Sequence, residues 1–159
     1  MQLTLTLRDL QPEDLGNLAW AGGPEHLTTL ASYLPGSASG VVVLLVAALS
    51  TGELVGHGLV DLRGDAGTAM IEQLAVRDVC QRLGVGTWLV SALEDRLRER
   101  GVGAARLAVE HDNPGAAALY ERLGYREIGS LLQTWPAAAG RRYVTVSSLL
   151  EKRLGAGPQ

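Results

Sequence analysis

Seven residues near the middle of the chain, Gln81-Arg82-Leu83-Gly84-Val85-Gly86-Thr87, place two glycines and a basic side chain at the start of a strongly periodic segment. Glycine has no Cβ, so a backbone rich in it can come close to a ligand. A helix that begins here presents unpaired N–H groups and a partial positive charge, and both suit phosphate. Arg82 could add a charge-assisted hydrogen bond. The same glycines would also serve a tight strand-to-helix turn with no ligand at all. Two nucleotide patterns fit poorly. A P-loop requires Gly-x-x-x-x-Gly-Lys followed by Ser or Thr, and the sole lysine of the chain is Lys152. A dinucleotide loop requires Gly-x-Gly-x-x-Gly with an acid about 20 residues on; Leu89 holds the third glycine position and the following strand supplies no such acid.

The elements around this loop are legible from periodicity. Leu3, Leu5 and Leu7 alternate with polar residues as in a strand. Pro12-Glu13-Asp14 reads as a first helical turn, and Leu15 to Leu34 as helical pieces broken at Gly22-Gly23-Pro24. Pro35 to Gly40 reads as a small-residue loop. Val41–Leu49 and Leu54–Arg63 form a predicted antiparallel hairpin, and Thr68–Arg77 a third strand. After the loop comes the clearest helix. Val85, Trp88, Leu89, Ala92, Leu93 and Leu97 fall on one side, and Glu94, Asp95, Arg98, Glu99 and Arg100 on the other. Ala105–Glu110 is a short strand. Asn113-Pro114 opens a second helix, with Ala116, Leu119, Tyr120 and Leu123 on one face and Gly124 as its stop. Tyr125–Gln133 and Arg142–Leu150 are the last predicted strands. Meander strands mixed with strand–helix–strand units give a single α/β domain over residues 1–154, with a mixed sheet and a disordered tail at 155–159.

Two blocks then carry a family likeness. Leu74-Ala75-Val76 followed by Gln81 to Gly86 resembles the Q/R-x-x-G-x-G/A signature of the GNAT superfamily of N-acetyltransferases. Asn113 to Tyr125 is similar to that family's N-x-x-A-x-x-x-Y-x-x-x-G-[FY] block. The two lie in the family's usual order, and the opening Leu7–Asp14 and closing Leu150–Leu154 also look familial. The resemblance covers essentially the whole chain. It implies a mixed, mostly antiparallel sheet of about seven strands flanked by helices, and acetyl-CoA as acyl donor.

Residue by residue, the resemblance implies that the backbone of Leu74, Ala75 and Val76 pairs with the pantetheine arm like an added strand. Gln81, Arg82, Leu83, Gly84, Val85, Gly86 and Thr87 would form the pyrophosphate loop. Asn113 matches a cofactor-contacting asparagine, and as an N-cap it also has a structural role. Tyr120 matches the tyrosine that faces the leaving thiolate, where a phenol can act as general acid. A plain core role for Tyr120 is the other reading. Glu72 looks like the glutamate that assists deprotonation in some polyamine acetyltransferases; a hydrogen-bonded strand residue is its bland reading. Ribosomal-protein N-terminal acetyltransferases keep a glutamate in the next strand, and Ala108 stands there in this chain. Glu110 and His111 are spare candidates for the base. Trp20, His26, Tyr33 and Trp135 are candidate linings of an acceptor pocket, with core packing as the competing role. His57, between two glycines, reads as structural.

Composition narrows the rest. The chain has 159 residues, 47% apolar, with a formal net charge of −3, which excludes a disordered chain and gives no pull toward nucleic acid. Cys80 is the only cysteine, so neither an internal disulfide nor a cysteine-based metal site is expected, and no metal is predicted. Val41–Leu49 is too short to span a bilayer as a helix, and the N-terminus lacks a signal-peptide apolar run. A cytoplasmic bacterial protein is the expectation, the arginine-for-lysine bias and abundant Ala and Gly suggesting a GC-rich genome. Its partners would be acetyl-CoA and an amine acceptor, with neither nucleic acid nor membrane involved. Family habit adds a homodimer. The rival function is a catalytically silent acyl-CoA-binding sensor.

Overall fold

The computed structural model describes residues 4–64 and 67–155. Its elements are β1 (Leu5–Asp9), two short 3-10 turns (Pro12–Asn17 and Ala19–Ala21), α1 (Pro24–Ser32), α2 (Leu34–Ser39), β2 (Val42–Leu49), β3 (Leu54–Asp61) and β4 (Thr68–Val76). After a 3-10 turn at Asp78–Cys80 follow α3 (Val85–Glu99), β5 (Ala104–Glu110), α4 (Pro114–Arg122), β6 (Arg126–Pro136) and β7 (Arg142–Arg153). The strands form one sheet in the order β1-β2-β3-β4-β5-β7-β6. Among the described residues only the β4–β5 pair is parallel. The expected mixed, mostly antiparallel seven-stranded sheet is therefore present.

The apolar run of β2 is continuous because both faces of that strand are covered. Val43, Leu45 and Ala47 join the core under α3 and α4. Val42, Leu44, Val46 and Ala48 join a second core with Leu18 and Leu30, under α1 and the 3-10 turns. This second core is confined to the β2–β3 half of the sheet; its buried members include none from β5, β6 or β7. On the other face α3 sits directly on β3. A Cβ at Gly56 would lie 2.8 Å from Leu89 Cδ1, and one at Gly58 2.9 Å from Leu74 Cδ1 and 3.0 Å from Leu93 Cδ1. Glycine at both positions is what lets the helix approach this closely.

Several local expectations are corrected. Pro35 to Gly40 is not a loop: Leu34–Ser39 is helical and stops at Gly40, φ 83°. The Pro12 turn is 3-10, held by Asp14, which accepts from the Gln11 N–H at 2.7 Å and from Arg8 at 2.6 and 2.8 Å. Trp88 is 37% exposed rather than core-facing, while Glu94, read as outward, is buried. In α4 the core contacts come from Ala116, Ala117, Tyr120 and Leu123 and not from Leu119. Both final strands run longer than predicted, and Trp135 lies inside β6. Of the tail expected to be disordered, residues 156–159 lie outside the described residues. No helix among those described is long and apolar enough to cross a membrane.

Candidate active site

The two edges of β4 have different fates. Toward β3 the ladder runs from Asp61↔Met70 to Leu59↔Glu72, then resumes at His57↔Ala75 and Gly56↔Val76. Gln73 and Leu74 thus oppose the single residue Gly58, a β-bulge with Gln73 at φ 53°. Toward β5 the parallel pairing covers only Thr68–Met70 against Ala104–Arg106. Beyond Met70 the two strands splay, and the β5-side edge of Ile71–Val76 is left without a ladder partner among the described residues. Leu74, Ala75 and Val76 lie on that edge.

That edge leads straight into the glycine loop. Arg82 and Gly84 both adopt left-handed backbone, φ 65° and 85°. Gly84 is the N-cap of α3 and accepts from the Trp88 N–H at 3.0 Å. No side chain caps this helix, so its first N–H groups stay open to a ligand. Gln81 folds back, donating to the Val76 carbonyl at 3.3 Å and to Asp78 Oδ1 at 3.2 Å. Leu83, Gly84 and Thr87 are exposed, Val85 is buried, and a Cβ on Gly84 would meet nothing within 4 Å. The loop is thus strained, rich in free donors and open to solvent, with Arg82 held in a conformation that costs most residues energy.

Tyr120 and Glu72 lie on opposite faces of the sheet. Tyr120 packs on the α3–α4 core and meets Tyr125 edge-on, ring centroids 6.0 Å apart. Burial pushes its phenol up to about 12, so the hydroxyl keeps its proton at any physiological pH. Asn113 caps α4, its Oδ1 accepting from the Ala116 N–H at 3.2 Å. The structural half of its dual reading is therefore realised. Glu72 faces α1 and α2. It accepts one long hydrogen bond from the Tyr33 hydroxyl, 3.4 Å. Burial first, then the nearby Asp61 carboxylate, hold Glu72 above the usual carboxylate range. Asp61 itself is held down by Arg63, which donates to it at 2.8 and 2.9 Å.

The spare candidates separate. Glu110 ends β5 on the Glu72 side of the sheet, and its buried Oε1 has no hydrogen-bond partner among the described residues. His111 is exposed in the turn that follows. Trp20, together with Ala21, Arg77 and the Ala75–Val79 segment, walls a cavity of about 440 Å³ beside the end of β4. The Arg77 guanidinium lies 5.4 Å from the Trp20 ring centroid. Trp135 stacks on Tyr143 at 4.8 Å near the far end of the β6–β7 ribbon.

His57 is structural in placement, but it has a partner that its sequence context did not reveal. Its Nε2 lies 3.3 Å from Nε2 of His26, and the Trp20 ring is 6.1 Å away. Burial, then His26, push the His57 imidazole down to about 4. The bulge at Gln73 was likewise missed; the signal for it was the Gly56-His57-Gly58 spacing, which marks a close backbone approach in a strand. Cys80 is a buried free thiol in the α3 core.

The two sequence blocks resemble one family, and comparison with known proteins gives the same family. The model of the acetyltransferase (GNAT) family matches residues 7–125. The chain belongs to the GNAT family. A mycothiol acetyltransferase from Actinosynnema mirum is 36% identical over 121 residues, 76% of this chain and 38% of the relative. The ribosomal protein bS18-alanine N-acetyltransferase of Escherichia coli is 36% identical over 81 residues, 51% of this chain and 55% of the relative. This GNAT chain therefore spans roughly a third to a half of those relatives' lengths. The crystal structure of the Escherichia coli ribosomal-protein-S18-alanine N-acetyltransferase shares the fold, with a TM-score of 0.76 at 23% identity over 98% of this chain and 97% of that one. So does a PaiA N-acetyltransferase from Thermoplasma acidophilum in complex with coenzyme A, with a TM-score of 0.69 at 17% identity over 95% and 99% of the two chains.

Proposed function

We propose that this protein transfers an acetyl group from acetyl-CoA to a primary amine by direct attack on the thioester. The observation that carries the reading is the unpaired edge of β4 from Ile71 to Val76, continuous with the left-handed Arg82–Gly84 loop and the uncapped start of α3. The free backbone groups of Leu74, Ala75 and Val76 suit an amide-bearing chain that adds as a strand. The N–H groups from Arg82 to Thr87 suit a pyrophosphate. Acetyl-CoA supplies the activated acyl carbon.

The protein's own residues then manage protons. Glu72, or a water it holds, takes a proton from the ammonium form of the acceptor, a task favoured by its raised proton affinity. The free amine forms a bond to the thioester carbon, the C–S bond breaks, and the electron pair leaves on sulfur. Tyr120 donates its hydroxyl hydrogen toward that sulfur. Its phenol, held near 12, is a weaker acid than an unperturbed tyrosine, so it serves best by donating a hydrogen bond as charge develops and completing the transfer late. The products are the acetylated amine and the free thiol.

Ala108 stands where ribosomal-protein acetyltransferases keep a glutamate, so a small amine fits this chain better than a ribosomal-protein N-terminus. The rival reading is a silent acyl-CoA sensor. Calorimetric titration with acetyl-CoA, NAD and ATP, followed by thiol release in a mixed-amine screen, tests the reading. Binding of acetyl-CoA alone with amine-dependent thiol release is expected. Binding without turnover of any amine or peptide would favour the sensor. A homodimer belongs to the same proposal, and a monomer by sedimentation at every concentration would remove it.

A further inference from the structure

Among the described residues, every half-buried arginine but one is matched by a carboxylate. Arg8 pairs with Asp14 at 2.6 Å, Arg96 with Asp9 at 3.6 Å, Arg98 with Asp95 at 3.0 Å and Arg106 with Glu151 at 2.7 Å. Arg77 is half-buried too, yet its guanidinium has neither an ion pair nor a hydrogen-bond acceptor among the described residues. What it has is the Trp20 ring, 5.4 Å away at the centroid. A ring face attracts a cation but leaves the N–H donors of the fork unused. A charge drawn partly out of water without an acceptor carries a desolvation cost, so its retention needs a physical reason.

The backbone fixes where Arg77 points. Val76 packs on the α3 core, so its neighbours Ala75 and Arg77 point to the α1 face. The Arg77 N–H donates to the Val55 carbonyl at 2.8 Å, which extends the β3–β4 pairing past Gly56↔Val76. Trp20 comes from the 3-10 turn Ala19–Ala21 and packs on the second core. These two side chains are common to the walls of two cavities. One, of about 500 Å³, adds Asn17, Thr51 and Glu53; the other, of about 440 Å³, adds Ala21, Ala75 and Val79.

The smaller cavity combines an indole, small aliphatic side chains and one cation. Asp78 also reaches its wall, but its Oδ1 accepts from the Gln81 amide at 3.2 Å. In the larger cavity Glu53, which accepts from the Thr51 hydroxyl at 3.3 Å, opposes any anion. The Trp20 N–H is buried and unbonded among the described residues, so the indole contributes apolar surface and not a donor. An apolar pocket with one charged group suits a ligand of opposite charge on an apolar body. A guanidinium fork matches a planar carboxylate through two parallel hydrogen bonds.

We propose that the smaller Trp20–Arg77 cavity is a second ligand site, distinct from the acetyl-CoA edge, that takes a small organic carboxylate with an apolar body. Acetyl transfer is not needed for this site to bind. The Leu74–Val76 edge lies in the plane of the sheet toward β5, whereas Trp20 and Ala21 put the cavity on the α1 face, so both can be filled at once. Ala75 and Val76 belong to both walls, and a bound carboxylate would rest against the strand that holds the donor.

Benzoate is the probe, and benzamide is its uncharged match. Each is titrated into isotope-labelled protein without acetyl-CoA, and backbone amide NMR signals are followed. Saturable benzoate shifts centred on Ala21, Ala75, Val76 and Val79 are expected, with benzamide about tenfold or more weaker, the range for a hydrogen bond to a charged group. Arg77→Gln should weaken benzoate by about the same factor and leave benzamide unchanged. Arg77→Lys keeps the charge and loses the fork, and should fall between. Arg122→Gln, on the exposed end of α4, serves as control and should keep the parent affinity. Equal binding of benzoate and benzamide by the parent overturns the proposal, a result that needs no variant to fold. Benzoate shifts that do not saturate at those amides overturn it too, as does an unchanged benzoate affinity in Arg77→Gln. Saturating acetyl-CoA should leave benzoate bound. Competitive displacement overturns the proposal by giving the cavity to the donor, and leaves the acetyltransferase reading intact.

Discussion

Two glutamates on opposite faces of the same sheet, Glu94 buried and Glu72 half-buried, are treated in opposite ways. Glu94, on the α3 face, has a side chain 5% exposed and three partners: the Tyr125 hydroxyl at 2.7 Å, Lys152 at 3.1 Å and Arg98 at 4.0 Å. Glu72, on the α1 face, has one hydrogen bond of 3.4 Å and is raised by burial and by Asp61. The first ties α3 to the start of β6 and to β7, and nothing of it is left over for a ligand. The second is held partly desolvated and under-partnered, which costs stability and leaves a base in place. Satisfied buried charge marks structure in this molecule, and unsatisfied buried charge marks the cleft.

The largest expected effect is kinetic. Tyr120→Phe removes one oxygen from a packed ring, and kcat should fall about 10²–10⁴-fold with acetyl-CoA affinity nearly unchanged. Rapid-mix kinetics that isolate the chemical step check this, and a wild-type rate there would leave Tyr120 as a packing residue. Next is Glu94→Ala, which strands Lys152 and the Tyr125 hydroxyl. Because Lys152 is partly exposed, a loss of about 3 kcal/mol in urea denaturation is expected, the lower end for breaking a buried pair. Glu72→Gln, by contrast, should leave stability unchanged or raise it at neutral pH. Its folded-state proton affinity is raised, so ionisation costs stability as pH rises above the ordinary carboxylate value. A destabilised Glu72→Gln protein would break the contrast between the two faces.

The paired imidazoles of His57, buried, and His26, half-buried, set a pH dependence of stability. Both His57 and His26 have lowered folded-state affinities, so the unfolded chain binds more protons in the window between about 6.5 and about 4. Stability is full above that window and falls as pH drops through it, by about 3 kcal/mol at its lower end. His57→Gln should flatten the pH dependence of the urea midpoint, and an unchanged slope would show that other groups govern it. The smallest effect concerns the base. Glu72→Gln should remove the low-pH limb of kcat/KM, which in the parent should inflect above the ordinary glutamate range. A profile that does not move would transfer the deprotonation to solvent.

Much of this was readable in the chain. Periodicity located the strands, α3 and α4, because alternation and the Asn113-Pro114 and Gly124 signals report local geometry. The loop at Gln81–Thr87 and the block at Asn113–Tyr125 were visible as spacing. What stayed hidden depends on contacts distant in sequence. Glu94 reads as outward until Lys152, 58 residues on, is brought beside it. The small residues of Leu34–Ser39 do not announce a helix, and tertiary packing against β2 makes one. The Gln73 bulge and the early end of the β4–β5 ladder are matters of register, which no single strand encodes. His26 and His57 meet only because α1 folds back over β3.

The central claim is that the free edge of β4 and the Arg82–Thr87 loop form one acetyl-CoA site. Calorimetric titration of acetyl-CoA into the parent protein and into Gly84→Val tests it most directly. A valine at φ 85° meets no protein atom within 4 Å but is strained and projects into the open space at the loop, so a small stability loss and a large loss of binding are expected together. Thermal melts and circular dichroism confirm that the variant is folded. The account predicts saturable binding in the parent and at least a tenfold weaker affinity, on the order of 1.4 kcal/mol, in the folded variant. Equal affinity in the two folded proteins would contradict it.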